Sequence, residues 1–141
     1  MKYIFLIIFF LSPIFANTPI DIKKFSGLWY EIARVENSFQ TSCVASSIEY
    51  KLQQDNSYAK LENNQLFMRY FLVFTSSYKI EYINDYKTAV ITNNDYSNVW
   101  IMSRTPNIDK FELENILKNL EKKMDTSKLI FTKLDPKGKY K

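Results

Sequence analysis

Cys43 is the only side chain in this sequence that could serve as a thiol nucleophile, and it stands without helpers. The chain of 141 residues contains no histidine. Ser-His and Cys-His catalytic arrangements, histidine general bases, and histidine-ligated zinc or haem are thereby removed together. In the run from Cys43 to Leu52, Cys43 is in phase with Glu49 and Lys51, so it points to the wet face, and no activating base lies near it in sequence. A catalytic role for it is disfavoured, and no catalytic residue, metal site or cofactor is expected. A lone cysteine also cannot form an intramolecular disulfide, even in an oxidising compartment. Arg69, inside the apolar run Leu66 to Phe74, is either a core residue satisfied by a carboxylate or a holder of an anionic head group. Its phase is undetermined.

The remaining chemistry is that of apolar surface. Ten Tyr and eleven Phe need burial, and a wall of alternating strands around an apolar interior would use them. Gly27 stands two residues before Trp29 in a chain with only two glycines, which marks a special turn or a close backbone approach at the start of a strand. That strand runs from Trp29 to Val35. A second, from Cys43 to Leu52, alternates Val44, Ile48, Tyr50 and Leu52 against Glu49 and Lys51. Tyr58 to Leu61 is weakly strand-like, and Leu66 to Phe74 is either a well-covered strand or part of a short buried helix, with aromatic and β-branched content favouring strand. Tyr78 to Ile83, Lys87 to Thr92 and Ser97 to Arg104 then follow at hairpin spacing as a meander. Asp109 and Glu112 form a capping-box pattern for a helix to about Met124, with the apolar stripe Phe111, Leu113, Ile116, Leu117, Leu120 and Met124. A last strand, Leu129 to Leu134, precedes a lysine-rich tail.

Residues 1–16 have the pattern of a signal peptide: a charged start, the apolar run Ile4 to Leu11, and a polar break ending at Ala16. Cleavage there would leave residues 17–141 as one domain, exported to the periplasm or secreted, with no cysteine at the cleavage point for lipid anchoring. The formal charge of +4 falls to +3 without Lys2. Such mild, scattered basicity suits peripheral contact with acidic lipid and is not a nucleic-acid footprint.

Three motifs, taken in order, carry a resemblance. Gly27-Leu28-Trp29-Tyr30-Glu31-Ile32-Ala33-Arg34 resembles the Gly-x-Trp opening of the lipocalins, in the form used by the bacterial lipocalin and apolipoprotein D branch. Asn84-Asp85-Tyr86 resembles the family's Thr-Asp-Tyr turn, and Asn98 to Pro106 its third motif, which ends in an arginine. The resemblance implies an all-β fold: an up-and-down antiparallel barrel with a C-terminal helix packed on its outside and a final short strand. It also implies that Arg104 lies across Trp29 at the closed end as a structural pair, and that the interior takes a small hydrophobic ligand, a fatty acid or lysophospholipid, in the bacterial cell envelope.

Alternation then nominates the ligand-facing side chains as Val44, Ser46, Ile48 and Tyr50 on the second strand, Tyr78, Ile80 and Tyr82 on a later one, and Trp100 and Met102 in phase with Arg104. Two alternatives stay open. One is an envelope scaffold protein whose barrel is filled; the other is a lipid-modifying enzyme using Cys43, since one branch of the family uses a barrel cysteine. The chain is one or two strands short of the family's eight. A gap near residues 55–66 is expected, leaving a reduced cavity and an exposed edge through which a homodimer could form. An odd strand count would make the first and last meander strands parallel, whereas the family closes antiparallel there, and the gap is expected to keep that closure.

Overall fold

The computed structural model describes residues 20–36, 47–50, 59–62, 65–70 and 74–132, with side chains described for 20–36 and 78–132. Helix α1 (Ile22–Phe25) leads into strand β1 (Gly27–Val35), followed by β2 (Ser47–Tyr50), β3 (Ala59–Glu62), β4 (Gln65–Tyr70), β5 (Phe74–Asn84), β6 (Thr88–Thr92) and β7 (Val99–Ser103). Helix α2 (Lys110–Leu120), a 3-10 turn (Thr126–Lys128) and strand β8 (Leu129–Phe131) complete the order.

The strands form one sheet in the order β2-β1-β7-β6-β5-β4-β3, and every described pairing is antiparallel. β7 holds one edge of β1. The other edge is shared, with β2 along Gly27 to Tyr30 and β8 along Ala33 to Val35. This is an all-β antiparallel fold with a helix against one face, as the resemblance implies.

The odd strand count leaves the expected antiparallel closure intact, since β1 and β7 pair antiparallel. Following the antiparallel pairings around the sheet, β2 and β3 point in the same direction, so the mismatch falls between them. Among the described residues β2 and β3 make no pairing with each other. Within the segment where a gap was expected, Ala59 to Glu62 instead pairs with Gln65 to Met68 as a hairpin. Residues 51–58, Val44, Ser46 and Cys43 lie outside the described residues.

Two bulges decide which residues face which side. In β1, Glu31 pairs with Met102 and Ala33 with Ile101, so Ile32 is an extra residue; in β5, Ile80 pairs with Ile91 and Tyr82 with Val90, so Glu81 is extra. A bulge puts two consecutive side chains on one face and reverses the phase beyond it. The result is two apolar layers. The inner one gathers Phe25, Trp29, Ile80, Ala89, Ile91, Trp100 and Met102; the other, under α2, gathers Ile32, Ala33, Val90, Val99, Ile101, Ile116, Leu120 and Leu129.

Asp109 caps α2 by accepting from the Glu112 amide at 2.9 Å, but Glu112 does not return the bond. Its carboxylate instead accepts from Tyr82 Oη, Asn84 Nδ2 and Thr88 Oγ1, pinning the first turn of the helix to β5 and β6. Phe111, counted in the apolar stripe by sequence, is 72 % exposed. The helix buries Ile116 and Leu120 and ends at Leu120, short of Met124.

Candidate functional site

The closed end of the sheet is organised by Arg104. Its guanidinium carbon lies 3.9 Å over the Trp29 ring. Nε donates to the Tyr86 carbonyl, Nη1 to Leu28, and Nη2 to Lys24, Phe25 and Ser26, so one side chain serves the orphan carbonyls at the end of α1, the start of β1 and the β5–β6 turn. Partial burial lowers its pKa, yet an arginine stays charged at any physiological pH. Gly27 makes this possible. It has φ +103°, and a Cβ there would sit 3.2 Å from Arg104 Nη1. Trp29 is wholly buried, and its indole N–H donates to the Phe25 carbonyl at 2.8 Å.

The turn Asn84–Lys87 completes this end. Asp85 and Tyr86 both have positive φ, 45° and 54°, with Lys87 N–H donating to the Asn84 carbonyl, the geometry of a type I′ hairpin. Tyr86 Oη accepts from the Asp21 amide, tying the N-terminal segment across the end.

Above this plug the inner face continues as an apolar layer, with Ile83 and Tyr86 partly buried beside it. Phe25, Trp29, Ala89 and Met102 are fully covered, Ile91 is 2 % exposed, Ile80 and Trp100 are each 9 % exposed, and Tyr78 is half-buried. Tyr78 and Trp100 meet edge to face, with ring centroids 5.2 Å apart and planes at 84°.

Of the residues nominated by alternation, Tyr78, Ile80, Trp100 and Met102 share this inner face. Ile48 and Tyr50 occupy register positions opposite Trp29 and Gly27. Tyr82 does not belong with them. The bulge at Glu81 turns it outward into the layer under α2, where its hydroxyl donates to Glu112. Burial and that carboxylate push its pKa up to about 12.

Sequence reading missed Glu31 and Arg34. They pair with Met102 and Trp100 in the ladder, on the inner face, and Arg34 Nη1 meets Glu31 Oε1 at 2.5 Å with the residues 2 % and 0 % exposed. The signal lay in phase: Glu31 is two residues from Trp29 and so shares its face. Arg34 reaches that face only through the bulge at Ile32. Among the described residues no group of His, Cys, Asp or Glu could hold a metal ion, and no helix is long and apolar enough to cross a membrane.

An antiparallel sheet with an aromatic inner face, plugged at one end by an arginine stacked on tryptophan and flanked by one helix, is the arrangement of a lipocalin-type fold. The family model described as a lipocalin-like domain matches residues 20–65 and 58–134, and the chain belongs to that family. Similar proteins include a putative lipocalin of Acanthamoeba polyphaga mimivirus, 26% identical with 74% of this chain and 78% of that protein covered. The outer membrane lipoprotein Blc of Vibrio cholerae is 21% identical, covering 81% of this chain and 82% of its own length, and that of Escherichia coli K12 is 25% identical, covering 79% and 77%. Among solved structures, insecticyanin of the tobacco hornworm Manduca sexta superposes with TM-score 0.70 at 18% identity over 83% of this chain and 82% of its own, a likeness of fold.

Proposed function

We propose that this protein binds and carries a small hydrophobic ligand, a fatty acid or lysophospholipid, in the interior bounded by β1, β5, β6 and β7, and does so as an exported protein of the bacterial cell envelope. The observation that supports this reading is the continuous apolar inner face, which starts at the Trp29–Arg104 plug and runs through Met102, Ile91, Ile80 and Trp100 to Tyr78 on the side away from it. An apolar chain would enter from that side and lie along the aromatic wall. Membership of the lipocalin family supports the ligand class, and relatives named outer membrane lipoprotein support the envelope.

The energetics suit reversible carriage. Each buried methylene contributes about 0.8 kcal/mol, so about ten supply roughly 8 kcal/mol before association costs, which sets an affinity near micromolar. No covalent step is needed. β2 and β3, unpaired with each other among the described residues, support association of a second copy along those edges.

The test is displacement titration of the mature protein with fluorescent fatty acids and lysolipids. Saturable binding at micromolar concentration is expected, weakened by Trp100→Ala. A protein that binds no apolar chain saturably has a filled barrel, and the scaffold reading then replaces the carrier.

A further inference from the structure

We infer that a second binding site lies outside the barrel, in the cleft between α2 and strands β5 and β6, and that it takes an anionic amphiphile with a single apolar tail. This inference stands apart from the interior site. Its origin is the β5 bulge, which turns the consecutive residues Glu81 and Tyr82 both toward the helix. The helix is then fastened at two places: by Glu112 to Tyr82, Asn84 and Thr88 at its first turn, and by Lys123 to Glu81 just beyond its end. Between the fastenings, helix and sheet enclose a cleft of about 340 Å³, within the roughly 300 to 1,000 Å³ of small-molecule sites.

The cleft's floor is apolar, formed by the Tyr82 ring, Val90, Ile116 and Leu120; its polar rim holds Glu81, Asn119, Lys122 and Lys123. The rim's charge selects the head group. Glu81 is already matched twice, by Lys123 and by Lys79 at 2.9 Å, and both lysines also lie over the Tyr96 ring, at 5.7 and 4.8 Å. Lys122 adds a third ammonium, held near the rim by Asn119 Oδ1 at 3.4 Å. Among the lining residues two lysines face one carboxylate, a net charge of one, and Lys79 pairs with that same carboxylate from outside the cleft. A cation finds the carboxylate occupied, and a neutral tail gains only the floor. A carboxylate on a medium-length chain gains both.

The test is ¹⁵N NMR titration of the full chain with decanoate, and in parallel with decanol as the neutral control. Decanoate should move the amides of Glu81, Tyr82, Asn119, Leu120 and Lys123 saturably, and decanol should do so at least tenfold more weakly. Lys122→Gln with Lys123→Gln, or Asn119→Phe, which fills the cleft from an exposed position, should each weaken the cleft response at least tenfold while leaving the Trp100 indole response unchanged. The indole signal reports the interior separately, so either site can fail without the other. Unmoved cleft amides, equal response to decanol, or variants that bind decanoate in the cleft like the parent would each overturn the proposal.

Discussion

Glu31 and Arg34 meet at 2.5 Å on the inner face of β1 although they are three residues apart, a spacing that strict alternation puts on opposite faces. The bulge at Ile32 makes the pair, and it leaves both residues almost wholly out of water. Removing one member takes a counter-ion at 2.5 Å away from a buried charge, which costs about 3 kcal/mol or more, whereas replacing both with apolar groups of similar volume costs less. Arg34→Met alone should therefore lower the urea midpoint far more than Glu31→Leu with Arg34→Met together. Additive losses in that double-mutant cycle would show that the two do not interact.

At the closed end, Gly27→Ala should destabilise by about 1 to 3 kcal/mol, because alanine strains at φ +103° and its Cβ crowds Arg104. Arg104→Lys should also destabilise, since one ammonium cannot serve the five carbonyls that the guanidinium reaches. Trp29→Ala, a large truncation in a fully buried position, should cost about 3 to 5 kcal/mol. Denaturant midpoints check all three, and an unchanged midpoint for Gly27→Ala would contradict the close approach.

The two faces of the sheet separate binding from stability. Tyr82→Phe should cost about 1 kcal/mol through its lost bond to Glu112 and leave interior lipid affinity unchanged. Trp100→Ala should weaken that affinity several-fold. If Tyr82→Phe weakened lipid binding as much as Trp100→Ala, the outward placement of Tyr82 would be wrong.

These pairs also show how far the sequence could be read. The meander, helix α2 and the Gly27–Trp29 opening were legible because period and turn chemistry are local. Tyr82 and Arg34 were not, since a bulge shows only in the pairing count of two strands. Helix α1 is a single turn capped by Asp21, too short to carry a period. The outer cleft depends on where α2 docks, which no local pattern encodes. Phe111 fits the helical stripe and is exposed all the same, because Glu112 fixes the rotation of the first turn.

Tyr82 also predicts an alkaline limit. Its pKa is raised in the fold to about 12 from 10.0 by burial and then by Glu112, so the neutral phenol is the form the fold favours. Its contribution is complete below pH 10 and is lost as pH rises from 10 toward 12. Urea midpoints of the parent should fall more steeply across that window than those of Tyr82→Phe. Phenolate absorbance should show one tyrosine titrating late, absent in the variant; identical profiles would count against the Tyr82–Glu112 contact.

Toward acid, Glu81 behaves in the opposite sense. Partial burial opposes its ionisation, but hydrogen bonds from Lys123 and Lys79 outweigh that, holding its pKa below the usual 4.5. Its stabilising contribution is present above that value and disappears as pH falls below it. Glu81→Gln should remove part of the parent's stability at pH 7 and make little difference at pH 2.

The central claim is that an apolar chain lies in the interior beside Trp100, and quenching by a bromine-labelled fatty acid measures it most directly. In a Trp29→Phe background, Trp100 is the single tryptophan, and bromine midway along the chain should quench its fluorescence saturably, with a dissociation constant of about micromolar order. The unlabelled fatty acid should restore the signal by competition. Binding without quenching would place the chain elsewhere, and an absence of both would contradict the account.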